Sequence, residues 1–190
     1  MVTIIFKKLS NLHRVLWTAG LILTLSLQAY AGQPLLNDIR KQFFAIIPDS
    51  CSALKIFESI KADDYQSATL RAYAGATEAA SAECVKGAFT KLEYFSRGKK
   101  NIEKAIEQQP ENTEIRFVRF ATQTNLPGFI EYNNIREDKA FIMERLPDLI
   151  ESSSENWVWL EIAKFMINSD GLKKDERRKL DQLLKNNKHD

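Results

Sequence analysis

Residues Gly98 to Phe120 read GKKNIEKAIEQQPENTEIRFVRF. Ile102 and Ile106 stand four apart, which puts them on one face of a helix. Pro110 closes that run, because its ring fixes φ and removes a backbone donor. Thr113 then offers a capping hydroxyl to a following helix that carries Ile115, Phe117, Val118, Phe120 and Ala121. Helix, proline-marked turn and second helix make a hairpin. A helix apolar on several sides is sandwiched between neighbours, so the second arm is expected inside an array of helices.

The same periodicity extends in both directions, with no alternating pattern of a strand. Upstream, Leu36, Ile39, Phe43 and Ile47 form an amphipathic stripe that Pro48 ends. Ser50 or Ser52 caps a short helix carrying Leu54, Ile56, Phe57 and Ile60, and Asp63-Asp64 marks the next turn. From Tyr65 to Cys84 the chain is rich in alanine around Gly75, a composition that lets another helix approach closely. A fourth helix, Phe89 to Gln108, carries Phe89, Leu92, Phe95, Ile102 and Ile106. Downstream, Asn125-Leu126-Pro127-Gly128 is a turn, and Ile135 to Leu146 is a helix ended by Pro147. Ser152 and Glu155 have capping-box spacing ahead of Trp157 to Asn168, and a charged last helix runs from Lys173 to Asn186. The expected fold class is all-α, an antiparallel stack of about eight helices.

Within the quoted stretch, Gly98, Ile102, Ala105 and Pro110 occupy the small, bulky, alanine and proline places of a tetratricopeptide hairpin. The chain resembles that repeat over one helix and a turn. The segment Tyr94 to Phe129 also resembles segments of exported bacterial proteins of uncharacterised role with a tetratricopeptide-like helical core. The resemblance implies a fold of stacked hairpins and brings no activity with it.

Lys7, Lys8 and Arg14 precede an uncharged apolar run from Val15 to Leu27, and Ala29-Tyr30-Ala31 has the small residues a signal peptidase reads. Residues 1 to 31 therefore read as a signal peptide, and 32 to 190 as a single helical domain exported to the periplasm or cell envelope. An uncleaved anchor is the competing reading, weakened by Gln28 and by Gly32-Gln33-Pro34. No stable membrane span is expected after cleavage. The signal holds three of the 27 Lys and Arg and none of the 25 Asp and Glu, leaving 24 basic and 25 acidic residues, a net charge of −1. Interspersed charges of that balance lack the basic stripe that nucleic acid requires.

Cys51 and Cys84 could be bridged in an oxidising compartment. With helices at 51 to 61 and 65 to 84 in a hairpin, however, their axial positions differ by roughly 14 Å at the helical rise. A disulfide needs Cα atoms within about 7 Å, so two buried free thiols are the favoured expectation.

The histidines are His13, in the signal, and His189, beside the C-terminus, which leaves the folded core without one for a triad, a Cys-His dyad or an ordinary zinc site. No cofactor and no metal is implied. Arg116 and Arg119 share a helix face, with Gln123 one turn on, and could grip a carboxylate or peptide backbone. The alternative is that they pair internally with acids such as Glu114, Glu137 or Asp138. Trp157 and Trp159 cannot both face one neighbour, so one could join an exposed aromatic patch unless both are buried between flanking helices. These five residues are the candidate partner-binding set. Stacked hairpins build extended surfaces, and the expected function is a non-enzymatic protein- or peptide-binding module. Two alternatives stand beside it. A small-molecule or lipid carrier would line an apolar cavity with Phe95, Phe117, Phe120 and Trp159. A carboxylate-based hydrolase would bring two acids together in a cleft.

Overall fold

The structure is a computed structural model that describes residues 33–46, 50–60, 65, 67–126 and 132–187. The signal-like segment, His189, Asp63-Asp64 and the Pro127-Gly128 turn lie outside the described residues. Eight helices make up the fold among those residues, and no strand occurs. They are α1 (Gln33–Ile46), α2 (Ser50–Ser59), α3 (Ala68–Ser81), α4 (Ala88–Gln108), α5 (Thr113–Thr124), α6 (Ile135–Ser152), α7 (Asn156–Asn168) and α8 (Lys174–Asn186). The chain divides into two units, 1–38 and 39–190. The described part of the first is the opening of α1, and everything below concerns the second.

Successive helices from α2 to α8 pack on one another, and α3 also meets α5, as α5 meets α7. The odd-numbered helices α3, α5 and α7 thus form a row, with α4 packed on α3 and α5, α6 on α5 and α7, and α2 and α8 at its two ends. Patterning explains which helices lie in that row. In α3 the residues from Ala72 to Ala79 are all buried, and in α5 Ile115, Phe117, Val118 and Phe120 are fully enclosed. The later part of α1 adds Phe43, whose ring meets Tyr73 edge-on at 5.0 Å, and Phe44, which stacks on Phe117 at 5.7 Å. Phe165 of α7 closes on the other side of Phe117 at 5.3 Å.

The tightest crossing joins α3 to α4. A Cβ at Gly75 would stand 2.6 Å from the Gly98 carbonyl oxygen and 2.9 Å from the Ile102 nitrogen, and one at Gly98 would meet the Ala79 nitrogen at 2.6 Å. Two glycines face each other, so the backbones touch and no side chain fits between them. Ile102 and Ala105, the next positions of the quoted stretch, are fully buried against this crossing, and Ile106 is nearly so.

Several local expectations are corrected. The α5 cap is Asn112, whose Oδ1 accepts the Glu114 and Ile115 amides at 3.0 and 3.2 Å, and Thr113 is the first helical residue. Ser67 caps α3, so that helix starts later than Tyr65, and it ends at Ser81 before Cys84. α6 does not stop at Pro147 but continues to Ser152. Leu146 and Ile150, four apart, are buried on the core side, and that packing outweighs the one amide a proline removes. No Ser152–Glu155 box forms: Ser152 donates to the Asp148 carbonyl within α6, and the carboxylate of Glu155 is held by Arg40.

Cys51 and Cys84 form a disulfide with Cα atoms 5.3 Å apart, against the expectation of free thiols. The shortened α3 is the reason. Cys84 lies three residues beyond Ser81, in a turn that leaves the helix axis, so a count of helical rise between the two cysteines overstates their separation.

Candidate interaction surfaces

Three buried carboxylates organise the polar interior, each gripped by arginine. Glu114 opens α5, and its two oxygens accept Nε and Nη2 of Arg40 at 2.6 Å each, while Tyr73 Oη donates to Oε1 at 2.8 Å. Arg40 also reaches Glu155 at 2.9 Å and so ties α1 to α5 and to the α6–α7 turn. Asp138, in the first turn of α6, accepts both Nε and Nη2 of Arg119 at 2.7 Å. The third nitrogen of Arg119 goes to Glu103 at 2.9 Å, and Tyr132 donates to that same carboxylate. Glu78 of α3 accepts Arg97 at 2.6 Å and Asn101 at 3.4 Å, both from α4.

Planar guanidinium against planar carboxylate gives two parallel charge-assisted hydrogen bonds. Burial alone would loosen the proton of Arg40, but the hydrogen bonds and charge of Glu114 outweigh it and raise the affinity. Arg119 is held the same way by Asp138. Burial, reinforced by the Glu114 charge, pushes the Tyr73 phenol well above its ordinary range, and burial with the Glu103 hydrogen bond does the same for Tyr132.

The arginines of the candidate set are therefore engaged within the fold. Arg119 is 3 % exposed and clamps α5 to α6 and α4. Arg116 bonds Glu137, Asp138 at 3.1 Å and the Pro110 carbonyl at 3.0 Å, with Phe141 beneath its guanidinium at 4.9 Å. Glu137 and Asp138 are the partners the spacing suggested, whereas Glu114 belongs to Arg40. Gln123 is buried one turn beyond Arg119, and neither end of its amide has a hydrogen-bond partner. Trp157 and Trp159 are both half-buried, neither enclosed nor fully presented, and the indole N–H of Trp159 is buried without a partner. The structure thus does not gather the five into one exposed site.

Arg40 escaped the sequence reading although a signal was present. It follows Ile39 directly and precedes Phe43 by three, which sets it beside the apolar stripe of α1.

The exposed feature lies on α4. Phe89 is 91 % and Leu92 61 % exposed, one turn apart, although both belong to the apolar series that marks the helix in the sequence. The reason is that only the later part of α4, from Gly98 to Ile106, is buried by its neighbours. The segment is held at both ends. The disulfide fixes Cys84, Gly87 turns the chain into α4 with φ +91°, a conformation that favours glycine, and the Gly75–Gly98 crossing fixes the middle of the helix.

Among the described residues no helix is long and apolar enough to cross a membrane, and no group of three or more His, Cys, Asp or Glu is placed to hold a metal ion. Compared with protein-family models, curated proteins and solved structures, the chain has no match.

Proposed function

We propose that the protein is an exported, non-enzymatic binding module that docks another protein through the first half of α4. One observation carries this reading: Phe89 and Leu92, one turn apart at the start of α4, are left exposed among the described residues. Single exposed apolar residues are ordinary, but two a turn apart on one helix make a patch of the sort that marks an interaction site. Its rigidity supports the reading, because a surface ordered before binding loses less conformational entropy on contact. The Cys51–Cys84 bridge supports export, since structural disulfides persist in oxidising compartments.

The alternatives find less support. Phe117 packs against Phe44 and Phe165, and Phe120 is fully buried, so these rings fill the core rather than line a carrier's cavity. The buried carboxylates Glu78, Glu114 and Asp138 are each paired with an arginine, and no two of them are brought together in a cleft of the kind a carboxylate hydrolase uses.

A Phe89→Ser, Leu92→Ser double variant tests the proposal in a crosslinking pull-down from the envelope fraction of the native host. Both side chains are exposed, so thermal stability should stay within about 0.5 kcal/mol of the parent. A specific protein recovered by the parent and lost with the variant is expected. Equal recovery by both, or none by the parent, would overturn the proposal.

A further inference from the structure

A second surface, remote in sequence from Phe89, lies where α6, the α7–α8 turn and the start of α8 enclose a cleft of about 700 Å³, a size ordinary for a small-molecule site. Its walls carry four cationic side chains, Arg136, Lys139, Lys173 and Lys179, against two carboxylates, Asp170 and Glu176, an excess of two positive charges. Residues 32 to 190 as a whole carry 24 basic and 25 acidic side chains, so this is a local concentration of charge and not the character of the chain. Ala140, Met143 and Leu172 supply an apolar strip among the same walls.

The walls are braced. Gly171 lies against the core, where an added Cβ would stand 2.5 Å from Cζ of Phe120. Arg177 donates to the carbonyls of Ile167 and Ser169 and so ties α8 to the end of α7. Glu176 accepts the Lys173 amide at 2.7 Å and the Lys139 ammonium at 2.9 Å, which sets Lys139 at the cleft wall. Burial tends to raise the Glu176 carboxyl, but these two donors outweigh it and hold the group below the usual carboxylate range. Glu176 is thus a fixed anion that positions a lysine, unlike the raised carboxyl a hydrolase needs for a general acid. Among the described residues neither Arg136 nor Lys179 has an ion-pair partner, and both are exposed.

We infer that this cleft binds a small phosphomonoester whose organic part is apolar. A phosphomonoester carries nearly two negative charges at neutral pH, matching the excess of two. The Arg136 guanidinium can present a fork to two phosphate oxygens, and the ammonium groups of Lys179 and Lys139 add point charges. Met143, Ala140 and Leu172 face the ester's apolar part.

Calorimetric titration of the purified protein at about 50 mM salt, where exposed charges are weakly screened, tests the site with two probes, inorganic phosphate and hexyl phosphate. Saturable one-site binding is expected, with hexyl phosphate at least ~10-fold tighter because its chain removes apolar surface from water. An Arg136→Ala, Lys179→Ala variant should melt like the parent and bind hexyl phosphate at least ~10-fold more weakly, since exposed cations contribute to ligand binding here and not to packing. Met143→Ser should remove most of the advantage of hexyl phosphate over phosphate. A parallel measurement with vesicles containing phosphatidic acid separates the sources of the phosphate: binding to vesicles lost in the double variant assigns the site to a lipid headgroup, still through this cleft. No saturable binding of any probe, or equal binding by parent and double variant, would overturn the inference.

Discussion

Asp138 accepts three charge-assisted hydrogen bonds from two arginines while fully buried, and the arrangement has an asymmetric energy. A buried ion pair contributes little over an apolar pair of the same shape, but removing one partner strands a charge in low dielectric. Asp138→Asn is therefore expected to destabilise the fold by about 3–5 kcal/mol, measured by urea denaturation. Loss of less than about 1 kcal/mol would mean that Arg116 and Arg119 are not clamped as described. The tyrosines give a second test. Tyr73 and Tyr132 have phenols raised by burial and neighbouring carboxylates, and Tyr65 is raised chiefly by burial. A raised folded-state value means that stability is complete below the ordinary tyrosine range and is lost as pH rises through the folded values. Absorbance at the phenolate band should thus show these three titrating only on the alkaline side of about pH 10, with the buried pair released as the chain unfolds. Early titration of all of them would contradict the burial. Arg116 and Arg119 were legible because their spacing defines a shared face. Arg40 was not, because a pattern read for apolar residues passes over the charged one beside them, whose carboxylate lies 74 residues away.

At the scale of the element, the helices were readable throughout from their 3.6-residue periodicity, and their ends were not. Pro147 is the clearest case: local propensity favours a stop there, while Leu146 and Ile150 gain enough from burial to carry α6 onward. Asn112 and Thr113 both suit a cap, and only the backbone conformation distinguishes them. The alanine-rich composition of α3 did announce a close crossing, and Gly75→Ala is its test. The added Cβ would meet backbone atoms of α4 that cannot rotate away, so a loss of about 1–3 kcal/mol is expected despite alanine's better helix propensity. A gain in stability would show the two helices farther apart. The disulfide, misjudged through three residues at the end of α3, closes a loop between positions 33 apart. Replacing both cysteines by alanine should lower stability by roughly 3–4 kcal/mol on the chain-entropy model, and reductant should act equally on the parent. Insensitivity to both would leave the thiols unbridged.

On the larger scale, within residues 39–190, the row formed by α3, α5 and α7 with α4 and α6 each packed on two of its members leaves the outer faces of those even-numbered helices for outside contact. That architecture followed from periodicity and turn residues. The surface did not, because exposure of Phe89 and Leu92 depends on how far α4 outreaches its neighbours, a length no local pattern encodes. The charged cleft was hidden for a related reason: Arg136 and Lys139 on α6 meet Lys179 on α8 only after the chain has turned through α7. The central claim is that the projecting end of α4 is a protein-docking surface. The most direct measurement is photocrosslinking in the native host with a benzophenone side chain at position 89 and, as control, at the exposed Lys185. The account predicts a discrete crosslinked product with another protein from position 89 and none from 185. No product from 89, or the same product from both positions, would contradict it.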